Sequence, residues 1–81
     1  MLQMRPNCEC CDADLPAASS EARICSFECT FCADCAETRL DGRCPNCGGA
    51  LAARPPRAEA LLETYPASTE RVLKPHPECV A

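Results

Sequence analysis

The chain has 81 residues, ten of them cysteine and none tryptophan, with a formal charge of −4. A chain this short holds one domain at most, and its apolar surface is too small to stabilise a fold without disulfides or metal. The acidic balance argues against non-specific nucleic-acid binding, and no stretch approaches the roughly 20 apolar residues of a membrane-spanning helix.

Residues 1–7 form a lead-in with no apolar run of signal-peptide length. The reading therefore places the chain in the cytoplasm, where thiols stay reduced. Reduced, paired cysteines favour metal. The competing reading is a secreted five-disulfide knot, for which Cys-x-x-Cys pairs are poor partners.

The first pair is Cys8-x-x-Cys11. Cys10 lies inside it, so Cys8-x-Cys10 competes as the chelating pair. The x-x spacing recurs later in the chain, which favours Cys11 and leaves Cys10 as a spare thiol, packed as a small hydrophobe or reactive. Residues 22–31 are rich in β-branched and aromatic residues and predict a hairpin bent around Ser26-Phe27-Glu28, with Cys25 and Cys29 flanking the bend. Residues 33–40 are good helix formers, with Asp34 and Glu37 early and Arg39 late, and Asp41-Gly42 ends the helix. Cys32-x-x-Cys35 stands at its start and Cys44-Pro45-Asn46-Cys47 follows it, closed by Gly48-Gly49.

Residues 1–50 thus form the domain proper, and 51–81 a proline-containing extension. Within 50–57, Pro55-Pro56 predicts a linker. Residues 57–65 predict two helical turns before Pro66, and the segment from Pro66 to Ala81 reads as extended or disordered unless it docks. His76 and Cys79 have ligand spacing but lack partners for a closed site.

Two thiolates spaced around a tight turn can both face one ion at the ~2.3 Å of a zinc–sulfur bond. The hairpin brings Cys8 and Cys11 beside Cys32 and Cys35, and its bend brings Cys25 and Cys29 towards Cys44 and Cys47. The expectation is two interleaved sites, Cys8, Cys11, Cys32, Cys35 and Cys25, Cys29, Cys44, Cys47, for two Zn2+ ions per chain. Sequential filling is the rival order. Each four-thiolate site carries a charge of about −2, for roughly −8 in the metallated protein. A closed site has no open position at which to activate water, so the chain is read as a non-enzymatic interaction module. Phe31 is expected in the core and Phe27 as the exposed candidate for a protein partner. Asp12, Asp14, Glu37 and Asp41 read as solvated surface, and Arg54 and Arg57 as one small basic spot.

The order C-x2-C-x13-C-x3-C-x2-C-x2-C-x8-C-x2-C resembles a RING finger with every ligand cysteine. Cys29-Thr30-Phe31-Cys32 is similar to that family's His-x-Phe-Cys stretch, and Cys44-Pro45-Asn46-Cys47 to its Cys-Pro-x-Cys knuckle. The resemblance implies a small zinc-stabilised α+β fold, a RING-like or treble-clef cross-brace with one β-hairpin, one short helix and two zinc knuckles. It also raises ubiquitin-ligase-like activity. That family usually has an apolar residue between its first two cysteines and often a basic residue after its last knuckle; here those places hold Glu9-Cys10 and Gly48-Gly49. Thiol redox sensing or metal buffering is a further alternative, set against by the single Cys-x-Cys.

The chain as a whole also resembles a family of small bacterial proteins of unknown function. The resemblance rests on the runs from Arg5 to Cys11, Glu21 to Cys35, Cys44 to Gly49 and Tyr65 to Val72. It implies a bacterial cytosolic protein and brings no activity with it.

Overall fold

In a computed structural model the chain is described over residues 2–74 and 76–79, so Val80 and Ala81 at the end of the expected tail, and Pro75 within it, lie outside the described residues. The hairpin forms as expected. Strand β1 (Ala22–Ile24) pairs antiparallel with β2 (Thr30–Cys32), Ala22 facing Cys32 and Ile24 facing Thr30. The bend closes by Glu28 N–H donating to the Cys25 carbonyl at 3.0 Å and Cys25 N–H to the Cys29 carbonyl at 3.2 Å. Glu28 sits at φ +66°, a left-handed conformation that only a tight turn imposes on a non-glycine residue.

Helix α1 (Ala33–Thr38) follows β2 without a break. Cys32 caps it: its backbone is extended and its sulfur accepts from the N–H of Cys35. A cysteine sulfur here does what a Ser or Asp oxygen does at other helix starts, satisfying an orphan amide. The helix stops where the sequence indicates, with Gly42 at φ +74° donating to the Ala36 carbonyl at 2.8 Å.

The segment expected as a linker contributes a strand. β3 (Ala52–Ala53) pairs antiparallel with β1 and completes a three-stranded sheet of order β2-β1-β3. Pro55 and Pro56 lie just beyond β3, so they end it without interrupting it. Arg54, expected on a basic surface spot, is instead 1% exposed. Its guanidinium donates to the carbonyls of Arg5, Leu15 and Pro16 at 2.8–3.3 Å. A buried cation without a carboxylate is tolerated because backbone dipoles replace water around it. Arg57, half-buried, donates to the carbonyls of Leu2 and Tyr65 at 2.7 Å.

Helix α2 (Glu59–Leu62) is shorter than the sequence suggests and buries no residue. Residues 66–74 and 76–79 form a strap with one short 3-10 turn, Pro77–Cys79. The strap docks on residues 7–12. Asn7 Nδ2 donates to the Val72 carbonyl at 2.9 Å and Asn7 Oδ1 accepts from Val72 N–H at 3.1 Å. Arg71 pairs with Asp12 and Asp14, and Lys74 N–H donates to the Glu9 carbonyl.

The core is small. Phe31, Leu15, Ala22 and Leu40 are its apolar members, and buried cysteines make up the rest. Phe31 is fully buried, as expected, whereas Phe27 at the hairpin bend is 72% exposed.

Candidate metal centre

Two turns of the chain are built alike. Asn7 bridges Asp14, and Arg43 bridges Ala50. Inside these bridges, Cys8 N–H donates to the Ala13 carbonyl and Cys44 N–H to the Gly49 carbonyl, each at 2.8 Å. Asp12 N–H returns to the Cys8 carbonyl and Gly48 N–H to the Cys44 carbonyl. Asp12 and Gly48 both have positive φ, +63° and +76°. Cys8 therefore corresponds to Cys44 and Cys11 to Cys47, and each knuckle turns its two sulfurs to one side.

The knuckles meet different partners. The sulfurs of Cys8, Cys11, Cys32 and Cys35 all lie within 4.8 Å of one another, and so do those of Cys25, Cys44 and Cys47. The clusters interleave along the chain, because β1 and β2 carry the bend to one end of the hairpin and the start of α1 to the other. Cys11, rather than Cys10, joins the first cluster. Cys29, expected as the fourth member of the second, stands outside that mutual 4.8 Å set. It stands near enough to Cys25, Cys44 and the Asn46 side chain for each to influence its ionisation.

The donor chemistry fits a cation. Backbone N–H groups point at the sulfurs: Cys10 and Cys11 at Cys8, Cys35 at Cys32, Phe27 at Cys25 and Gly49 at Cys47, at 3.3–3.5 Å. Burial opposes ionisation of Cys8, but the N–H groups of Cys32, Cys11 and Cys10 outweigh it and lower its pKa. Cys25 is lowered in the same way, burial opposing and the N–H groups of Phe27 and Cys29 prevailing. The neighbours go the other way. Burial raises Cys29, Cys32 and Cys35, and pushes Cys44 up to about 12. In each cluster the surroundings thus favour the charged form at one sulfur and oppose it at its shifted neighbours, since burial penalises charge and like charges repel. Full ionisation needs a positive ion among the sulfurs.

The remaining two cysteines are not free. Cys10 and Cys79 form a disulfide, with Cα atoms 5.4 Å apart and 69 residues between them in sequence. The spare thiol and the tail cysteine of the sequence reading are partners of each other. His76, expected in the tail, is buried, and its Nε2 lies 2.7 Å from Oε2 of Glu9. Asn46 Nδ2 donates to the same oxygen at 2.6 Å. Glu9 Oε1 has no hydrogen bond, and the Arg5 guanidinium stands 3.6 Å from it. The sequence offered no local signal for the Glu9–His76 contact. It did offer one for the disulfide: ten cysteines less eight ligands leave two.

Residues 1–57 match the family described as "Protein of unknown function (DUF1272)". The chain belongs to this family. An uncharacterised protein of Rhizobium meliloti (strain 1021) is 68% identical over 75 residues, which span 93% of this chain and 89% of that protein. No solved structure matches. The family match ends at residue 57, just beyond β3, while the rhizobial relative extends the likeness across most of the strap. Within this setting the two cysteine clusters are the feature that can bind metal, in a small metal-stabilised α+β fold. No helix among the described residues is long and apolar enough to cross a membrane.

Proposed function

We propose that this chain is a structural zinc protein that holds two Zn2+ ions and offers its surface to a protein partner, with no catalysis of its own. The ligands are Cys8, Cys11, Cys32 and Cys35 for one ion, and Cys25, Cys29, Cys44 and Cys47 for the other. The observation that carries the reading is the first cluster. Its sulfurs are mutually within 4.8 Å, and Cys11 and Cys32 are 3.7 Å apart. A zinc ion with four bonds of ~2.3 Å has tetrahedron edges of about 3.8 Å. The second cluster needs only Cys29 to close on the ion that gathers Cys25, Cys44 and Cys47.

Four thiolates close the coordination shell, so the ion can neither bind water nor polarise a substrate. Its contribution is to the fold, whose apolar core is too small to suffice. Residues 1–50, with the sheet completed by β3, act as a RING-like double-zinc domain, and the described residues of the strap brace it. Phe27 supports the interaction reading, because an aromatic held on a two-ligand hairpin bend is a rigid anchor at little entropic expense. Ubiquitin-ligase-like docking finds less support. Glu9, at the place where RING fingers usually have an apolar residue, is buried under the strap. A cytoplasmic setting suits the eight free thiols.

Native mass spectrometry of protein purified without chelator tests this. The expected result is two zinc ions per chain. One ion, none, or the visible absorption of thiolate-bound iron would overturn it.

A further inference from the structure

The strap treats the two knuckles differently, although their backbones are alike. In the first knuckle every residue that is not a candidate ligand is engaged. Asn7 is paired with Val72, Glu9 with Lys74 and His76, Cys10 with Cys79, and Asp12 with Arg71. In the last knuckle no hydrogen bond among the described residues comes from the strap. The only covalent member of the set is the Cys10–Cys79 bond, and it sits at the strap's far end, where Arg39 Nη1 also holds the Cys79 carbonyl at 2.8 Å.

We propose that Cys10–Cys79 is a thiol–disulfide exchange site, addressed by dithiols, whose opening selectively loosens the metal held by Cys8, Cys11, Cys32 and Cys35. The inference rests on the metal reading above and adds a redox control to one of its two sites.

The chemistry is a two-electron exchange. A thiolate of the dithiol attacks Sγ of Cys79, the less buried of the pair. The Cys10–Cys79 bond breaks, and Cys10 leaves as a thiolate that takes up a proton. The second thiolate of the dithiol attacks the mixed disulfide, and Cys79 leaves likewise. The dithiol ends as a disulfide, and its two protons end on Cys10 and Cys79.

Once open, the strap is held to the knuckle by exposed ion pairs, which are weak fastenings, and by hydrogen bonds that include the Glu9–His76 contact. Its departure uncovers Glu9 and removes His76, the only imidazole in the chain, from the carboxylate. The knuckle backbone then loses the outer partners that fix its sulfurs, and removal of such outer partners typically weakens a metal site by about 10–100-fold. The second site keeps its own turns, and its link to the first, Asn46 on Glu9, does not involve the strap and stays in place.

The test uses the full-length protein as purified, without chelator or thiol reagents. Alkylation and peptide mapping should find Cys10 and Cys79 unmodified, and both modified after brief exposure to a dithiol. Cys10→Ser and Cys79→Ser cut the same bond without any dithiol, so chelation by the reagent cannot account for their behaviour. If Cys10→Ser fails to fold, Cys79→Ser tests the same bond from its less buried side. In either variant one of two zinc ions should pass to a colorimetric chelator about tenfold faster than in wild type, with the other unchanged. Alkylation of Cys10 and Cys79 without dithiol would overturn the clasp. Equal release rates in wild type and variants, with two ions bound in each, would overturn the coupling and leave the metal reading standing. Wild-type protein that carries no metal would overturn the metal reading and the coupling together, while alkylation still decides the clasp.

Discussion

Asn46, in the last knuckle, donates through Nδ2 to the carboxylate of Glu9, in the first, at 2.6 Å. The two residues lie 37 positions apart and belong to turns that serve different sulfur clusters. His76 approaches the same carboxylate oxygen from the strap. One buried side chain therefore ties both knuckles and the C-terminal strap together.

Glu9→Ala should be among the most damaging substitutions away from the cysteines. It leaves the buried His76 without its partner and takes an acceptor from the exposed Asn46, a loss of about 1–3 kcal/mol. Glu9→Gln keeps an acceptor for Asn46 and should lose less. Urea unfolding of the metal-loaded protein ranks the three forms. Equal midpoints for Glu9→Ala and wild type would mean that Glu9 does not tie these segments together.

Arg54→Met should also destabilise, by about 2–3 kcal/mol, although it adds an apolar side chain to a buried place. The reason is the three carbonyls of Arg5, Leu15 and Pro16, which lose their donor. Arg54→Lys retains the charge but cannot reproduce the planar fork and should fall between. The same unfolding measurement applies, and a neutral Arg54→Met would show that those carbonyls find other donors.

The second cluster invites a graded test. Cys25, Cys44 and Cys47 are already gathered, while Cys29 stands at their side. Cys25→Ser should leave one ion bound per chain by native mass spectrometry. Cys29→Ser should still bind two, with one released to chelator faster than in wild type. Identical loss for the two variants would make Cys29 a full member of the set.

Phe27→Ala should leave stability within about 0.5 kcal/mol of wild type, because the side chain is 72% exposed and buries almost nothing. The same variant should weaken binding to the protein partner at least tenfold once that partner is in hand, as loss of an aromatic anchor does. A clear drop in unfolding midpoint would mean that the residue serves the fold instead.

Much of the domain was legible before any coordinates. Cys-x-x-Cys spacing, the apolar hairpin and the Asp41-Gly42 stop are local signals, because turn geometry and helix ends depend on neighbours within a few positions. They suffice for the hairpin and for α1; the expected grouping of the cysteines around them matches the first cluster and misses Cys29 in the second. Gly48 illustrates why: its positive φ is what a knuckle of this kind requires after its second cysteine, and Asp12 adopts the same conformation in the other.

The C-terminal third was decided elsewhere. Pro55-Pro56 correctly marks a break, but nothing local says that Ala52–Ala53 joins β1 first or that Arg54 turns inward to three carbonyls. Polar, proline-rich sequence has no periodicity from which docking can be read, since its order comes from the surface it meets. The sequence alone determined that the ten cysteines must staple a chain with too little core, and that most of them come as metal-chelating pairs. Only the tertiary structure decided that Cys10 and Cys79 belong to each other, and that Glu9 gathers Asn46 and His76. Those contacts join residues dozens of positions apart, and their energy exists only once the chain has brought them together.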